Sequence, residues 1–558
     1  MAFAAIKPLF TKGVTLIVGI IVTRFIYRGY IRRTRVRGLK AQGLPVLPHS
    51  LLFGHLPIFA DFRNAHPLDV NVYEFHTWLA ENCEKYFPGL DYLPPVVYLD
   101  LWPISDSLAM VTDPVVASQF TVAQSLPKIG LVKKFIEPLT SCHDILCTDG
   151  QAWKTWRSRF NPGFSQRNLT AILPEVIEEA NVFVESLKEM AGKDGTWGSV
   201  FQLEKKTTNL TFDIICRAAL DIRLHEQTSE SGSVLKHALL DQLHLMGIMQ
   251  NAARGHIVGR MPWQNAAVIR NNRIIRDYLL PQIQKKLEPN TVNTQKKTII
   301  DLAIKHVRTD EPDASKQGPT PEFVDRLIAN LKIFLFAGHD TTASTICFMT
   351  HLLQDNPSCL EKLRAEHDAV LGPEVDKAAQ TLATTPHLLH SLPYTLAVIK
   401  ETLRLYPLAA TVRESYPGFC LTATESSVTY PMEGFGLWLS APGLQRHPQY
   451  WSRPNDFLPE RWTEVTDISP HSTTNAWVPF SLGPRNCIGM ELALIELKLV
   501  LVLTARSFEF EEAWEEWDIE RGSKATPSDT VKGQRLYQVG TGIVHPKDGM
   551  PVHVRFRK

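Results

Sequence analysis

The chain lacks paired cysteines, internal repeats and low-complexity blocks, and its first 60 residues carry no acidic side chain at all. Its eight cysteines, Cys83, Cys142, Cys147, Cys216, Cys347, Cys359, Cys420 and Cys487, stand singly, with no CxxC pair. That spacing excludes a zinc ribbon and a disulfide framework, and it fits a reducing compartment where thiols stay free. Cys142-His143 with Cys147 comes nearest to a metal cluster, and isolated thiols are the plainer reading there. The absence of any period excludes solenoids, and 37 prolines spread along 558 residues exclude a proline-rich disordered block. No GxGxxG follows a strand-like run, so the chain carries no nicotinamide or flavin site of its own. The formal charge of +1 hides an asymmetry, since residues 1–60 hold nine Lys/Arg before the first acid, Asp61. The remainder holds 50 basic against 58 acidic residues, a net of −8. A mildly acidic body argues against nucleic acid as a partner.

What is present begins with an apolar run, GVTLIVGIIVT, between Lys12 and Arg24. Eleven uncharged residues fall short of the roughly 20 that a spanning helix needs. The stretch from Pro8 to Tyr27 reaches that length if Lys12 and Arg24 snorkel to the interfaces. Arg28, Arg32, Arg33, Arg35, Arg37 and Lys40 follow, the excess expected on the cytoplasmic side. No small-residue cleavage site follows, which weighs against a signal peptide, and a helix lying flat on the bilayer is the remaining alternative. GLPVLPHSLLFGHLP comes next, where Pro45, Pro48 and Pro57 favour a stiff, extended connector. The resulting division is a transmembrane anchor over 1–30, a basic stop and proline-rich hinge over 31–60, and one large domain over 61–558.

Apolar residues at three- and four-residue spacing predict helices at 173–192, 204–220, 263–287, 321–355, 386–406 and 489–506. Strand-like segments are short and gather near 95–112, 411–440 and 535–556. The polar breaks at 223–233 and 308–320 read as surface loops. The body is mainly α with small β-sheets.

The strongest signal is FSLGPRNCIG, residues 480–489. Cys487 lies just before the helical run ELALIELKLVLVL, where free N–H groups and the helix dipole favour an anionic sulfur. A thiolate is a strongly donating axial ligand for haem iron, and that donation favours O–O cleavage. Gly483 and Gly489 allow close backbone approach to a flat macrocycle, Phe480 can shield the sulfur, and Arg485 can pair with a propionate. A lone cysteine is ordinarily a core thiol. Here Phe480, Gly483, Arg485, Cys487 and Gly489 all fall at fixed offsets, and the chain resembles the cytochrome P-450 family, whose signature is FxxGxRxCxG. The resemblance runs from about residue 45 to the end.

That resemblance implies the family fold as a single large domain behind the anchor, and it extends to further motifs. LKIFLFAGHDTTASTICFM lies in a helix expected from Pro321 to about Asp355, with Thr320 as N-cap and Pro321 at N1. Its polar centre, Ala337-Gly338-His339-Asp340-Thr341-Thr342, is placed to loosen the helical ladder and admit water. It resembles the family's [AG]Gx[DE]T[TS] motif, which gives Asp340 the acid role and Thr341 the alcohol role in delivering protons. The plain alternative is a helix whose hydroxyls bond back to carbonyls. Glu401 and Arg404 match the family's ExxR pair, and Arg461 of FLPERW would complete a buried, architectural charge network. Trp153 and Arg157 resemble the family's WxxxR helix facing the haem carboxylates. Arg413 stands where many relatives place another propionate partner.

The resemblance therefore implies haem b (iron protoporphyrin IX) on Cys487, and insertion of one oxygen atom from O2 into a hydrophobic small molecule. It also implies electrons from NADPH through a separate NADPH-cytochrome P-450 reductase, and a single-pass endoplasmic reticulum membrane protein with its catalytic domain in the cytoplasm. The hinge, ETLRLYPLAATVRE and VGTGIVHPKDGMPV resemble filamentous-fungal members of secondary metabolism, which suggests a polyketide- or terpenoid-type intermediate as substrate. Substrate contacts are expected around 120–145, 223–260 and 538–546, with Leu131, Val132, Phe135, Ile136, Leu243, Leu245, Met246 and Met249 as apolar candidates. The rival functions are a haem isomerase or dehydratase of the same fold, and a non-catalytic haem protein for electron transfer or sensing. The intact Asp340-Thr341 pair argues against both.

Overall fold

The computed structural model describes residues 2–250, 261–288, 297–310, 320–409, 411–423, 427–463, 475–522, 529–540 and 543–557. The elements that frame the site are α1 (Ala2–Ala41), α2 (Gly130–Thr140), α3 (Gly150–Phe160), α4 (Leu173–Met190) and α5 (Leu203–Leu220). They continue with α6 (Val234–Gln250), α7 (Pro262–Leu287), α8 (Pro321–Asp355), α9 (Pro393–Leu405) and α10 (Met490–Thr504). The expectation of a mainly helical body with small sheets holds. One boundary moves: the helix expected over 386–406 begins only at Pro393, after a separate turn at Pro386–His390. Pro393 has no N–H to give and pushes Leu392 out of helical geometry, to φ −118° and ψ 67°.

Strands β1 (Val96–Leu99), β2 (Leu108–Val111), β4 (Thr411–Glu414) and β5 (Gly436–Leu439) form a four-stranded sheet in the order β1-β2-β5-β4. β2 runs parallel to β5 with Leu108 opposite Gly436, and β4 runs antiparallel to β5 with Arg413 opposite Leu437. A second sheet joins β3 (Phe201–Gln202), β9 (Pro551–Phe556) and β6 (Phe508–Glu512) in that order. β7 (Gln538–Val539) and β8 (His545–Pro546) pair antiparallel, His545 opposite Val539.

Helix α8 is the spine of the body. Thr320 caps it, its hydroxyl accepting from the Phe323 N–H at 3.2 Å, and Pro321 occupies N1, where a missing N–H costs nothing. Its middle is buried on nearly every side, which explains why the run is apolar all round rather than striped. Helix α5 packs tightly along it. Thr211 Oγ1 donates to the His339 carbonyl at 2.7 Å, and a Cβ on Gly338 would come within 2.9 Å of Ile215 Cγ1. Gly338 is thus a contact glycine that lets two helices approach. The helix runs unbroken through the 337–342 segment, with Thr341 Oγ1 bonded back to the Ala337 carbonyl at 2.9 Å and Thr345 Oγ1 to that of Thr341 at 2.8 Å. The expected loosening of the ladder is not seen, because these hydroxyls reinforce carbonyls already in the helix.

α1 is a continuous helix of 40 residues, about 60 Å at 1.5 Å per residue. From Val14 to Ile26 its large apolar side chains are exposed, Leu16 by 66%, and the helix is long and apolar enough to cross a membrane. The basic segment after it continues the same helix, and part of it is bound to the body. Arg33, Val36 and Leu39 are buried. Phe25 lies 4.1 Å from the Trp102 ring. The Arg33 guanidinium pairs with Asp100 and donates to the Trp102 carbonyl at 2.8 Å. Asp100 in turn receives His49 Nε2 at 3.1 Å, and its own N–H donates to His55 Nδ1 at 2.9 Å. Burial alone would raise the Asp100 carboxyl, but His49 and Arg33 outweigh it and hold the group below the usual range.

Removing one member of a buried ion pair strands the other. Arg33→Met should therefore lower stability by about 3 kcal/mol, read by denaturant unfolding, and expose residues 41–50 to limited proteolysis.

Candidate active site

The cysteine loop is tied down from three sides. The Cys487 N–H donates to the Phe480 carbonyl at 2.9 Å, closing the loop on itself. Gly483 has φ +72°, and a Cβ there would sit 2.2 Å from the Thr121 carbonyl oxygen, so only glycine fits. The close approach anticipated for Gly483 is thus to the Thr121 backbone. A Cβ on Gly489 would meet Cys487 Sγ at 3.9 Å and Phe164 at 4.0 Å, ordinary contact distances, so protein packing alone does not demand glycine there. Arg157 supplies the third tie: Nη1 donates to the Asn486 carbonyl at 2.8 Å, Nη2 to Asn486 Oδ1 at 2.9 Å and Nε to Asn161 Oδ1 at 2.9 Å. Its donors face the cysteine loop and Asn161.

The Cys487 side chain is accessible although protein surrounds it. Burial pushes the thiol up, against the Gly489 and Met490 N–H groups and the positive charge of Arg157, all of which favour the thiolate. Gly489 is the N-cap of α10, whose first turn supplies those amides, and α10 packs on α8.

An excess of positive charge lies in the same part of the fold. β4 carries Arg413, and an isolated bridge sets Lys128 directly opposite it. The pairing is framed by Glu414 N–H to the Pro127 carbonyl at 2.9 Å and by Arg413 Nη1 to the Leu126 carbonyl at 3.2 Å. Like charges directly opposite repel. Arg413 is fully buried, and its Nε and Nη2 have no partner. Lys128 is 7% exposed, and among the described residues no ion pair or hydrogen bond engages its ammonium. Burial, then the charges of Arg413 and Arg485, lower it to about 7. Arg413 is lowered to about 10 by burial and by Arg485. Arg485 lies 4.6 Å over the Trp153 ring, donates Nη2 to the Thr148 carbonyl at 2.7 Å and pairs with Asp149 at 2.9 Å, while its Nη1 is buried without a partner. Asp149 is shared with Lys133 at 2.7 Å. Three enclosed cations face one carboxylate, an imbalance that a bound dianion would remove. Trp153, Arg413 and Arg485 are thus brought together. Lys128 escaped the sequence reading. Its signal was a lone lysine in the extended SLPKIG segment, where apolar neighbours leave a cation nothing local to pair with.

A second network organises the loops behind the cysteine. Arg404 makes a bidentate pair with Glu401 at 2.8 Å and 2.8 Å, and Arg461 Nε donates to Glu401 Oε1 at 2.9 Å. The Trp462 indole adds 3.0 Å to Oε2, and the Leu458 N–H adds 3.1 Å to Oε1. Glu401 and both arginines are buried, and Arg404 also donates to the Gln445, Pro454 and Asp456 carbonyls.

On α8, Thr341 is half-buried beside exposed Ala337, and the buried Phe336 ring stands 6.5 Å from Phe135 of α2. Asp340 is buried on a different side of the helix, its Oδ1 3.6 Å from His545 Nδ1. His339 is buried with Nδ1 on the Leu335 carbonyl at 2.6 Å. Of the apolar substrate candidates, Val132, Phe135 and Ile136 lie on α2, and Leu243, Leu245, Met246 and Met249 on α6. Leu131 is exposed. Residues 251–260 of the expected substrate region lie outside the described residues.

An accessible sulfur at a helix N-terminus thus lies in the same part of the fold as buried cations that lack full pairing. The profile of the cytochrome P-450 family matches residues 98–538. The chain is 34% identical to cytochrome P-450 monooxygenase polC of Polytolypa hystricis, over 97% of this chain and 95% of that one. It is 30% identical to cytochrome P-450 monooxygenase acrF of Aspergillus aculeatus, over 82% of this chain and 93% of that one. The crystal structure of the cytochrome P-450DA haem domain superposes with a TM-score of 0.66 at 20% identity, covering 92% of this chain and 98% of that one. The chain belongs to the cytochrome P-450 family, and it is a haem-dependent oxidoreductase of the monooxygenase class. The residues present fit that cofactor: one accessible thiol for the metal, and unpaired Arg413 and Arg485 nitrogens with the Lys128 ammonium for two propionates.

Lys128→Met removes a buried cation without opening a cavity. It should leave the fold intact yet speed haem transfer to apomyoglobin several-fold, followed by the shift of the Soret band. An unchanged transfer rate would show that Lys128 plays no part in cofactor binding.

Proposed function

We propose that this protein inserts one oxygen atom from O2 into a hydrophobic small molecule, an intermediate of polyketide or terpenoid type in fungal secondary metabolism. The observation that carries the reading is the accessible Cys487 thiol combined with the unpaired Lys128 ammonium and the unpartnered nitrogens of Arg413 and Arg485. Haem, when bound, supplies the activation of dioxygen. Cys487 would hold the metal as thiolate, and the first-turn amides of α10 with Arg157 would stabilise the sulfur's charge. Trp153, Arg413 and Arg485 would orient the ring through its carboxylates, while Phe480 shields the sulfur and Gly489 leaves room beside it. Glu401, Arg404 and Arg461 keep the loops behind the cysteine in place. Thr341 Oγ1, now donating to the Ala337 carbonyl, is the hydroxyl that would hand a proton inward, with Asp340 as the acid that resupplies it. Phe135 and Phe336 contribute apolar surface that favours a hydrophobic ligand over a charged one.

Electrons would come from NADPH through a separate diflavin reductase, since no nicotinamide or flavin motif occurs in the chain. The exposed apolar stretch of α1 and the arginines after it support a single-pass anchor in the endoplasmic reticulum, with residues 61–558 on the cytoplasmic side.

The full-length protein, reconstituted with reductase and NADPH, should convert a component of extracts from its own pathway to a product gaining one labelled oxygen under ¹⁸O2. Label arriving from water, or turnover that needs no NADPH, would refute the reading. Cys487→Ser should abolish the red-shifted Soret band of the reduced carbon monoxide complex. Thr341→Ala should keep the cofactor but divert reducing equivalents to peroxide, measured as hydrogen peroxide formed per NADPH consumed.

A further inference from the structure

Asp340 and Thr341 are neighbours in sequence, but a turn of about 100° per residue sends them to different sides of α8. Asp340 lines a polar pocket of about 440 Å³ together with Glu204, Lys236, His339 and His545. His545 Nδ1 is hydrogen-bonded to Glu204 Oε1 at 2.8 Å and lies within ion-pair distance of Asp340 Oδ1 at 3.6 Å, so one imidazole stands between two carboxylates. Glu204 is itself fixed to α8, its Oε1 accepting from Ser344 Oγ at 3.2 Å. His545 belongs to β8, whose pairing with β7 presents it to α8 from outside the helix bundle. Its side chain is 36% exposed, whereas that of Asp340 is 10% exposed. Both groups border the pocket, and His545 offers it the more open side chain.

We infer that His545, clamped by Glu204, is the positioning residue and proton inlet for Asp340, relaying protons from the polar pocket to the acid of the acid–alcohol pair. The inference rests on the monooxygenase reading and adds the route by which its protons arrive. The step is a proton transfer with no electron change. The Nδ1–H bond of imidazolium breaks, an O–H bond forms at Asp340 Oδ1, and neutral His545 takes its next proton from water in the pocket. The transfer also acts as a release. Charged Asp340 is attracted to His545, while the neutral acid is not, so the protonated side chain is the one free to turn toward Thr341.

The titratable groups bordering the pocket besides His545 are Glu204 and Lys205 from α5, Lys236 and His237 from α6, His339 and Asp340 from α8, and Glu226 and Glu230 from the segment before α6. Burial would lower His545, but the Glu204 hydrogen bond and the charges of Asp340 and Glu204 outweigh it and raise the imidazole to about 9. A folded-state value above the free one means the bridge stabilises the fold fully below the ordinary histidine range, and this contribution fades as pH rises through about 9. At neutral pH the inlet is charged and loaded.

Two measurements on the full-length protein test the inlet. The first needs no turnover: the pH profile of diethylpyrocarbonate modification at His545, read by peptide mass spectrometry with exposed His387 as reference. Reagent attacks neutral imidazole, so His545 should react with an inflection well above that of His387, falling by about one pH unit or more in Glu204→Gln. Coincident inflections would overturn the bridge. The second compares His545→Gln with the parent during reductase-driven turnover. Peroxide per NADPH should rise several-fold and lose its pH dependence between about 7 and 9, with the reduced carbon monoxide spectrum unchanged. Unaltered coupling would overturn the inlet. If His545→Gln fails to load haem, Glu204→Gln with its intact imidazole gives the same readout. A parent protein that makes no oxygenated product fails the monooxygenase reading instead, whatever the modification profile shows.

Discussion

Glu401 is the carboxylate on which the position of Cys487 depends. Five donors from four residues converge on it, from Arg404, Arg461, Trp462 and Leu458, in a site closed to solvent. The same arginines reach the carbonyls of Gln445, Ser452, Pro454 and Asp456, so one buried charge gathers loops far apart in sequence. The order then passes through aromatic rings. Trp462 stands 5.8 Å from Trp477, whose indole donates to the Lys400 carbonyl at 3.1 Å, and Trp477 stands 5.9 Å from Phe480. Phe480 accepts the Cys487 N–H. The sulfur is thereby fixed relative to α9 by a path of buried ions, rings and one backbone hydrogen bond. Flexible surface ion pairs could not do this, since each contributes only a few tenths of a kcal/mol.

The cationic cluster obeys the opposite logic. Glu401 is satisfied within the protein, whereas Lys128, Arg413 and Arg485 are not, and Asp149 alone cannot balance them. A folded chain tolerates buried cations without full pairing only at a cost, and burial lowers all three. Two closely spaced negative charges would remove the imbalance.

Much of this was legible before any coordinates. The loop around Cys487, the capped helix from Pro321 and the Glu401-Arg404-Arg461 set combine residues whose types and offsets carry their own chemistry. What the sequence concealed were relations between distant segments. Lys128 gains meaning only when a backbone bridge sets it against Arg413, 285 positions away by their numbers. His545 lies in a stretch read as substrate-contacting, yet it meets Glu204 and Asp340 from two other elements. Gly338 is expected to loosen its helix and Gly483 to let the backbone approach the macrocycle, whereas the atoms that need their missing side chains are Ile215 and Thr121. Arg157 was grouped with the carboxylate partners by its motif. Its donors go to Asn486, because that loop passes within reach of α3.

The same distinction governs the N-terminal helix. Composition separates an apolar stretch from a basic one, and read alone it suggests an anchor followed by a basic stop and a stiff, extended proline-rich connector. In the fold, Arg33 is taken up by Asp100, while Arg32 reaches Asp106 at 2.8 Å on the surface. One helix therefore carries both the exposed apolar stretch and the buried contacts with the body, and no flexible joint separates them. A rigid rod joined to a rigid body transmits orientation as well as attachment. Leu51, Leu52 and Phe53 are exposed beside the Arg33 clamp, where the Leu52 carbonyl accepts from Arg33 at 3.4 Å. A fixed angle between helix and body rests on buried contacts such as the Arg33–Asp100 pair, since exposed charges contribute little.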